Sequence, residues 1–323
     1  MFVPPSPVPI SADRPVVAGP VLSEHRMVWV QSVGAALVVR AQGPAGRVTT
    51  VARLGVPAMA PGMSVTDSVG AFAVRGREIA LTRSLTYNSV VPCVAPAPYA
   101  CVAPTPPPVP FHAEYARGEF GHVRTVASTN PRAHRCRVPD NLAFSDAGLV
   151  VSRCGRISVG GRQLANAIMT GARGPWVAWQ SNHSNAVVVR RVVGKPRRYR
   201  APGASGGNAK LGGGGSVLEP VAVGGDGLCG TGTIVGVQIS TPQLPGPGPL
   251  VRDIFGAAGG SGSAFAVSHA TADCPPRFEP AVLTTDGTIT PVGPATDAGP
   301  ARLAIDAEEV AVLGADGLRR YAR

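Results

Sequence analysis

The sequence is almost without lysine: of its 30 basic residues, only Lys195 and Lys210 are not arginine. Strong helix formers are scarce as a group, and no window keeps apolar residues at i, i+3, i+4 and i+7 for long, which excludes a helical domain. Aromatic residues make up only 5% of the chain and charged residues 15%. No run of 18 apolar residues occurs, so no segment reads as a transmembrane helix. The opening "MFVPPSPVPISADRP" has neither the basic start nor the long apolar centre of a secretory signal. There is no CxxC pair, which argues against a zinc or dithiol redox motif. The six histidines (25, 112, 122, 134, 183 and 269) never stand at i, i+2 or i, i+4 spacing, so no local metal motif exists and no metal or cofactor is expected.

What the sequence does have is Gly (41) and Pro (33) in a chain of 323 residues, a strand-and-turn composition. It also repeats itself. "WVQSVGAALVVR" (29 to 40) and "WQSNHSNAVVVR" (179 to 190) superimpose Trp29 on Trp179 and Arg40 on Arg190. An apolar run, a short polar turn and a second apolar run ending in charge reads as a β-hairpin with both strands largely buried. Polar outer strands follow at "GRVTTVA" and "KPRRYRA". Weaker copies lie at 70 to 83, 142 to 164, 232 to 240, 262 to 274 and 301 to 322, which makes seven units. Asp286-Gly287 and Asp316-Gly317 mark tight turns among them.

A meander of this kind cannot cover both of its faces alone, and stacking in a closed ring covers them with few exposed edges. The sequence therefore predicts an all-β protein, a β-propeller of about seven blades, with two β-sandwiches as the alternative architecture. Trp29 and Trp179 are expected in the core at equivalent blade positions. The expected organisation is a Pro-rich segment 1–20 and a single propeller domain 21–323. "RPVVAGPVL" (14 to 22) is the candidate to complete the last blade and lock the ring. Two interruptions stand out: a Pro/Cys-rich insertion at 88–111 and a Gly-rich loop at 202–216.

On these units the chain resembles the broad class of bacterial propeller proteins with WD-repeat-like or TolB-type domains. The Trp-Asp and Gly-His signature of WD repeats and the "SPDG" run of TolB-type blades are absent, so no family binding residue carries over. The resemblance implies a scaffold for recognition.

Candidate functional residues fall into three groups. Cys93, Cys101, Cys136, Cys154, Cys229 and Cys274 are disulfide candidates, with sequential pairing the simplest arrangement. Disulfides place the protein in an extracytoplasmic compartment; the alternative is a cytoplasmic protein with six buried thiols. Between Gly148 and Leu218 there is no acid but there are eleven basic residues, so the whole net charge of +11 sits in this stretch. Its densest part is Arg190, Arg191, Lys195, Arg197, Arg198 and Arg200, where an acidic partner is conceivable; a lone Tyr199 argues against nucleic acid. Thirdly, a channel would gather loop acids such as Asp67, Asp146, Asp226 and Asp306, while Glu308 and Glu309 fall at the expected turn of the last hairpin.

"GASGG" (203 to 207) lacks the strand and helix that a nucleophile elbow requires. "GGSGSAF" (259 to 265) runs straight into a strand, and "GTGTIVG" (230 to 236) has valine where a dinucleotide loop needs glycine. The sequence is thus read as a non-enzymatic, exported, monomeric binding propeller that recognises a protein or glycan through face loops, the Pro/Cys loop or the basic sector 153–210. Two alternatives are a propeller hydrolase or lyase with channel-facing catalytic groups, and polyanion binding by the basic sector.

Overall fold

The computed structural model of the protein describes residues 6–56, 63–89, 111–129, 135–181, 186–201, 209–224, 233–243, 247–260, 262, 264–315 and 317–323. They form seven antiparallel meanders. Blade 1 comprises β1 (Val16–Ser23), β2 (Arg26–Ser32), β3 (Ala36–Gln42) and β4 (Val48–Gly55). Blade 2 comprises β5 (Met63–Arg75), β6 (Glu78–Ser89), β7 (Phe111–Glu119) and β8 (Arg124–Thr129); blade 3 comprises β9 (Asn141–Ser145), β10 (Gly148–Arg153), β11 (Arg156–Val159) and β12 (Arg162–Asn166). Blade 4 comprises β13 (Ile168–Arg173), β14 (Trp176–Gln180), β15 (Val187–Arg191) and β16 (Arg198–Ala201); blade 5 comprises β17 (Lys210–Leu211), β18 (Val217–Gly224), β19 (Thr233–Ser240) and β20 (Leu250–Arg252). Blade 6 comprises β21 (Ile254–Gly259), β22 (Ala264–Ala270), β23 (Phe278–Thr284) and β24 (Ile289–Pro291), and blade 7 comprises β25 (Arg302–Ile305), β26 (Glu309–Gly314) and β27 (Gly317–Ala322).

The first strand of each blade touches the first strands of both neighbouring blades, from β1 through β5, β9, β13, β17, β21 and β25 back to β1. That closed circuit makes the protein a seven-bladed β-propeller, with the seven first strands around the central channel. Each of the seven expected hairpin units falls in a different blade. The apolar core divides in the same way, into seven clusters that each join two successive blades. Because a blade is covered on both faces, its second strand is apolar almost throughout, as in the buried run Met27–Gln31 of β2. Outer strands alternate instead: in β16, Arg198 and Arg200 are exposed while Tyr199 and Ala201 are buried.

The 150-residue repeat is structural at its first hairpin. Val21 pairs with Val28 and Ser23 with Arg26 in blade 1, as Gly171 pairs with Ala178 and Arg173 with Trp176 in blade 4. Trp29 and Trp179 accordingly occupy like surroundings: each is buried against the preceding blade, Trp29 on blade 7 and Trp179 on blade 3. The second hairpin slips by two residues, Trp29 pairing with Arg40 but Trp179 with Val188 rather than Arg190, and an even slip keeps every side chain on its face.

Ring closure differs from the sequence expectation. The stretch 14 to 22 supplies β1, the channel strand of blade 1, and it is Val8 that bridges Leu318 on the free edge of β27, with backbone hydrogen bonds in both directions. Part of the expected Gly-rich loop is ordered sheet: Lys210–Leu211 form β17, and Gly212 to Ser216 turn the chain onto β18. Residues 202–208 of that loop and 90–110 of the Pro/Cys-rich insertion lie outside the described residues, and with them Cys93 and Cys101.

Candidate anion-binding site

A cavity of about 960 Å³ opens between blades 2 and 3. Its origin is a mismatch of strand length: β6 and β7 run for 12 and 9 residues, whereas β11 has 4 and β12 has 5, so blade 3 leaves the outer face of blade 2 uncovered. Gly160 and Gly161, in the turn between β11 and β12, add no side chains to fill the gap.

Among the described residues, four arginines line the cavity, Arg75 and Arg117 from blade 2 and Arg153 and Arg156 from blade 3, and no carboxylate lines it. Register explains the convergence. Arg153 pairs with Arg156 and Val151 with Ser158, so these side chains share the face of blade 3 that Leu149 packs against blade 2. Arg75 is held by Glu78 at 2.6 Å and donates to the Ser145 carbonyl oxygen at 2.8 Å; Arg117 reaches the same Glu78 at 3.7 Å. Arg153 lies over the Tyr115 ring at 5.7 Å, and its Nε is buried without a hydrogen-bond partner among the described residues. Arg156 is exposed, with no carboxylate in ion-pair range among the described residues. Burial raises the Tyr115 phenol above its ordinary pKa against the pull of Arg117 and Arg153, so the hydroxyl keeps its proton at neutral pH.

The rear wall is fixed covalently. Cys136 and Cys154 form a disulfide across 18 residues, tying the entry into blade 3 to the β10–β11 turn, and the Cys154 N–H donates to Asp140 at 2.6 Å. Cys154 has φ 45° and Gly155 φ 73°, the left-handed pair that a two-residue hairpin turn requires. Cys274 is disulfide-bonded as well, and Cys229 lies outside the described residues.

The basic cluster of blade 4 does not enter this cavity. Arg190, Lys195, Arg198 and Arg200 are exposed; Arg197 donates to the Pro242 carbonyl oxygen of blade 5 at 2.7 Å, and the Arg191 Nε is buried. Arg198 lies over the Trp179 ring at 5.9 Å.

The candidate channel acids scatter. Asp146 lines a cavity of about 300 Å³ among the first strands of blades 1 to 4. Arg173, at the end of β13, crosses the channel there to donate to the carbonyl oxygens of Gly259 (2.6 Å) in blade 6 and Ile305 (2.5 Å) in blade 7, and its burial lowers its pKa. Asp306 accepts the backbone N–H groups of Glu308 and Glu309. Asp67 faces blade 1 instead, where Arg83 joins it at 3.3 Å and burial raises its carboxyl to about 6. Asp226 lies outside the described residues. Glu309 is no turn residue: it is fully buried at the start of β26 and ion-paired to Arg320. The apolar–acidic–acidic–apolar pattern around it looks like a turn, and only strand pairing brings it to its partner eleven residues on. Among the described residues, no group of three or more His, Cys, Asp and Glu could hold a metal ion, and no helix is long and apolar enough to cross a membrane.

No family model and no curated protein matches the sequence. Solved propellers are similar in architecture at low identity. The WD40 domain of Toxoplasma gondii coronin is 10% identical, with 98% of this chain and 83% of that one covered and a TM-score of 0.47. The SapL1 lectin in complex with alpha methyl fucoside is 11% identical, with 96% and 94% covered and a TM-score of 0.37. Trypanosoma rangeli sialidase is 8% identical, with 96% of this chain but 54% of that one covered and a TM-score of 0.30. Likeness at this level carries nothing about ligands.

Proposed function

We propose that the protein is a binding propeller that holds an anionic group, a sulfate, phosphate or carboxylate borne by a larger ligand, in the cavity between blades 2 and 3. One observation carries this reading: among the described residues this cavity is lined by four arginines and no carboxylate, with a buried Arg153 Nε lacking a partner. A buried guanidinium donor without an acceptor costs about 1–3 kcal/mol, a cost that a bound anion removes. Glu78 neutralises part of the blade 2 side, which leaves Arg153 and Arg156 as the principal contacts, with Tyr115, Ser158 and Gln163 as neutral donors.

The disulfides support an extracytoplasmic location, where such bonds persist. A ring whose last blade is completed by its own N-terminal segment needs no second copy to cover that edge, and the protein acts as a monomer.

Titration calorimetry with a sulfated disaccharide tests the reading. Saturable binding is expected, weakened about tenfold by Arg156→Gln, a loss of about 1.4 kcal/mol. An uncharged disaccharide binding equally well, or no binding of the sulfated one, overturns it.

A further inference from the structure

Resting on the anion reading of the blade 2–3 cavity, we infer that the ligand is an acidic polysaccharide chain that continues over blade 3 onto blade 4. The observation behind this is a second row of arginines on the other side of the same blade. Val159 pairs with Arg162, which puts Arg162 on the face of blade 3 that Val150 packs towards blade 4. On blade 4, Arg190 pairs with Arg198 and Val188 with Arg200. These three arginines therefore share the face of Val188 and Trp179, the face that meets blade 3. All four are exposed, and among the described residues no carboxylate lies in ion-pair range of them.

Blade 3 thus carries arginines along both flanks, and its shortness is what opens both. Stacked sheets lie about 10 Å apart, so the sheets of blades 2 and 4 are separated by roughly 20 Å, beyond the span of one small anion. A chain with charges at intervals reaches both. The path between them is the outermost strand β12, only five residues long, which offers Arg162, Gln163 and Asn166 to solvent. No acid occurs from Gly148 to Leu218 to repel the chain on that path. The chemistry favours sugars over nucleotides. Bases need open aromatic faces, and the two aromatics here are buried under cations, Tyr115 beneath Arg153 and Trp179 beneath Arg198. The neutral donors Ser158, Gln163 and Asn166 suit hydroxyl groups between charges.

The test compares a sulfated disaccharide, a long dextran sulfate and single-stranded DNA of matched charge on the full protein and on the Arg190→Gln/Arg200→Gln double variant. The long chain should bind the wild type tighter than the disaccharide by on the order of 100-fold, the gain from linking two sites. The double variant should lose that gain while keeping its disaccharide affinity and its melting temperature. A long chain that binds no tighter than the disaccharide, or a double variant without effect, overturns the chain and leaves the pocket standing. Failure of the disaccharide to bind overturns the pocket and the inference with it. DNA bound as tightly as dextran sulfate and lost in the same variant overturns the assignment to a polysaccharide.

Discussion

Blades 1 and 3 use the same side chain in opposite ways. Both seams of blade 1 contain an arginine from the neighbouring blade that is buried and saturated. From blade 2, Arg83 binds Glu114, Asp67 and the carbonyl oxygens of Leu54 and Gly55. From blade 7, Arg320 binds Glu309 and the carbonyl oxygens of Gly43 and His25. Both seams of blade 3 contain arginines that are open to solvent and mostly without carboxylates. The difference lies in cover. Long neighbouring strands exclude water around Arg83 and Arg320, so a guanidinium persists there only with every donor satisfied. The short strands of blade 3 leave its seams open, so the exposed Arg156, Arg162, Arg190 and Arg200 cost little without a carboxylate and stay available to a ligand, while the buried Arg153 Nε gains from one. The same logic accounts for the near-absence of lysine, since one planar guanidinium can bridge several carbonyls of a neighbouring blade and an ammonium reaches fewer.

The contrast breaks most visibly at the ring closure. Arg320→Met leaves the Glu309 carboxyl buried without its cation and should cost about 3–5 kcal/mol by denaturant unfolding, whereas adding Glu309→Leu should recover most of the loss. At blade 3 the stabilising device is covalent: replacing Cys136 and Cys154 by Ser should cost about 3 kcal/mol, as expected for an 18-residue loop, and should weaken anion binding by loosening the cavity wall.

Glu219 offers a seam between these extremes, a buried carboxyl on β18 whose Oε1 has no partner among the described residues. Burial raises it from 4.5 to about 7. A raised folded value means that the folded state holds the proton more tightly. Its contribution is therefore complete below about pH 4.5 and is lost as the pH rises through about 7. Glu219→Gln should match the wild type at about pH 4 and exceed it by roughly 3 kcal/mol at about pH 8 in thermal melts. The smallest effect belongs to the open arginines: Arg156→Gln and Arg200→Gln should each shift stability by less than about 0.5 kcal/mol while weakening ligand binding.

The ring was legible in the sequence because hairpins recur and because second strands buried on both faces must be apolar along their whole length. Trp29 and Trp179 stand 150 residues apart and face preceding blades in the same way. First strands were harder to read. They are short or bulged: β1 breaks register twice and β5, β13 and β21 once each, and in every one a break falls at or next to a glycine, Gly19, Gly70, Gly171 and Gly256. That recurring glycine is a signal available in the sequence. The acid-free stretch marked the sector, but not its geometry. Arg75 and Arg117 reach the cavity from outside that stretch, and only strand register shows that Arg153 and Arg162 point to opposite sides of one blade. Glu309 and Arg320 were equally hidden, since a buried pair across two strands leaves no local pattern.

The most direct test is the salt dependence of dextran sulfate binding, compared between the wild type and a variant with Arg156, Arg190 and Arg200 changed to Gln. If the open arginines of blade 3's two seams are ligand contacts, log Kd should rise steeply with log salt in the wild type, and the slope should fall by about three in the variant, about one for each arginine removed. An unchanged slope would contradict the account, because the arginines would then be surface charge alone.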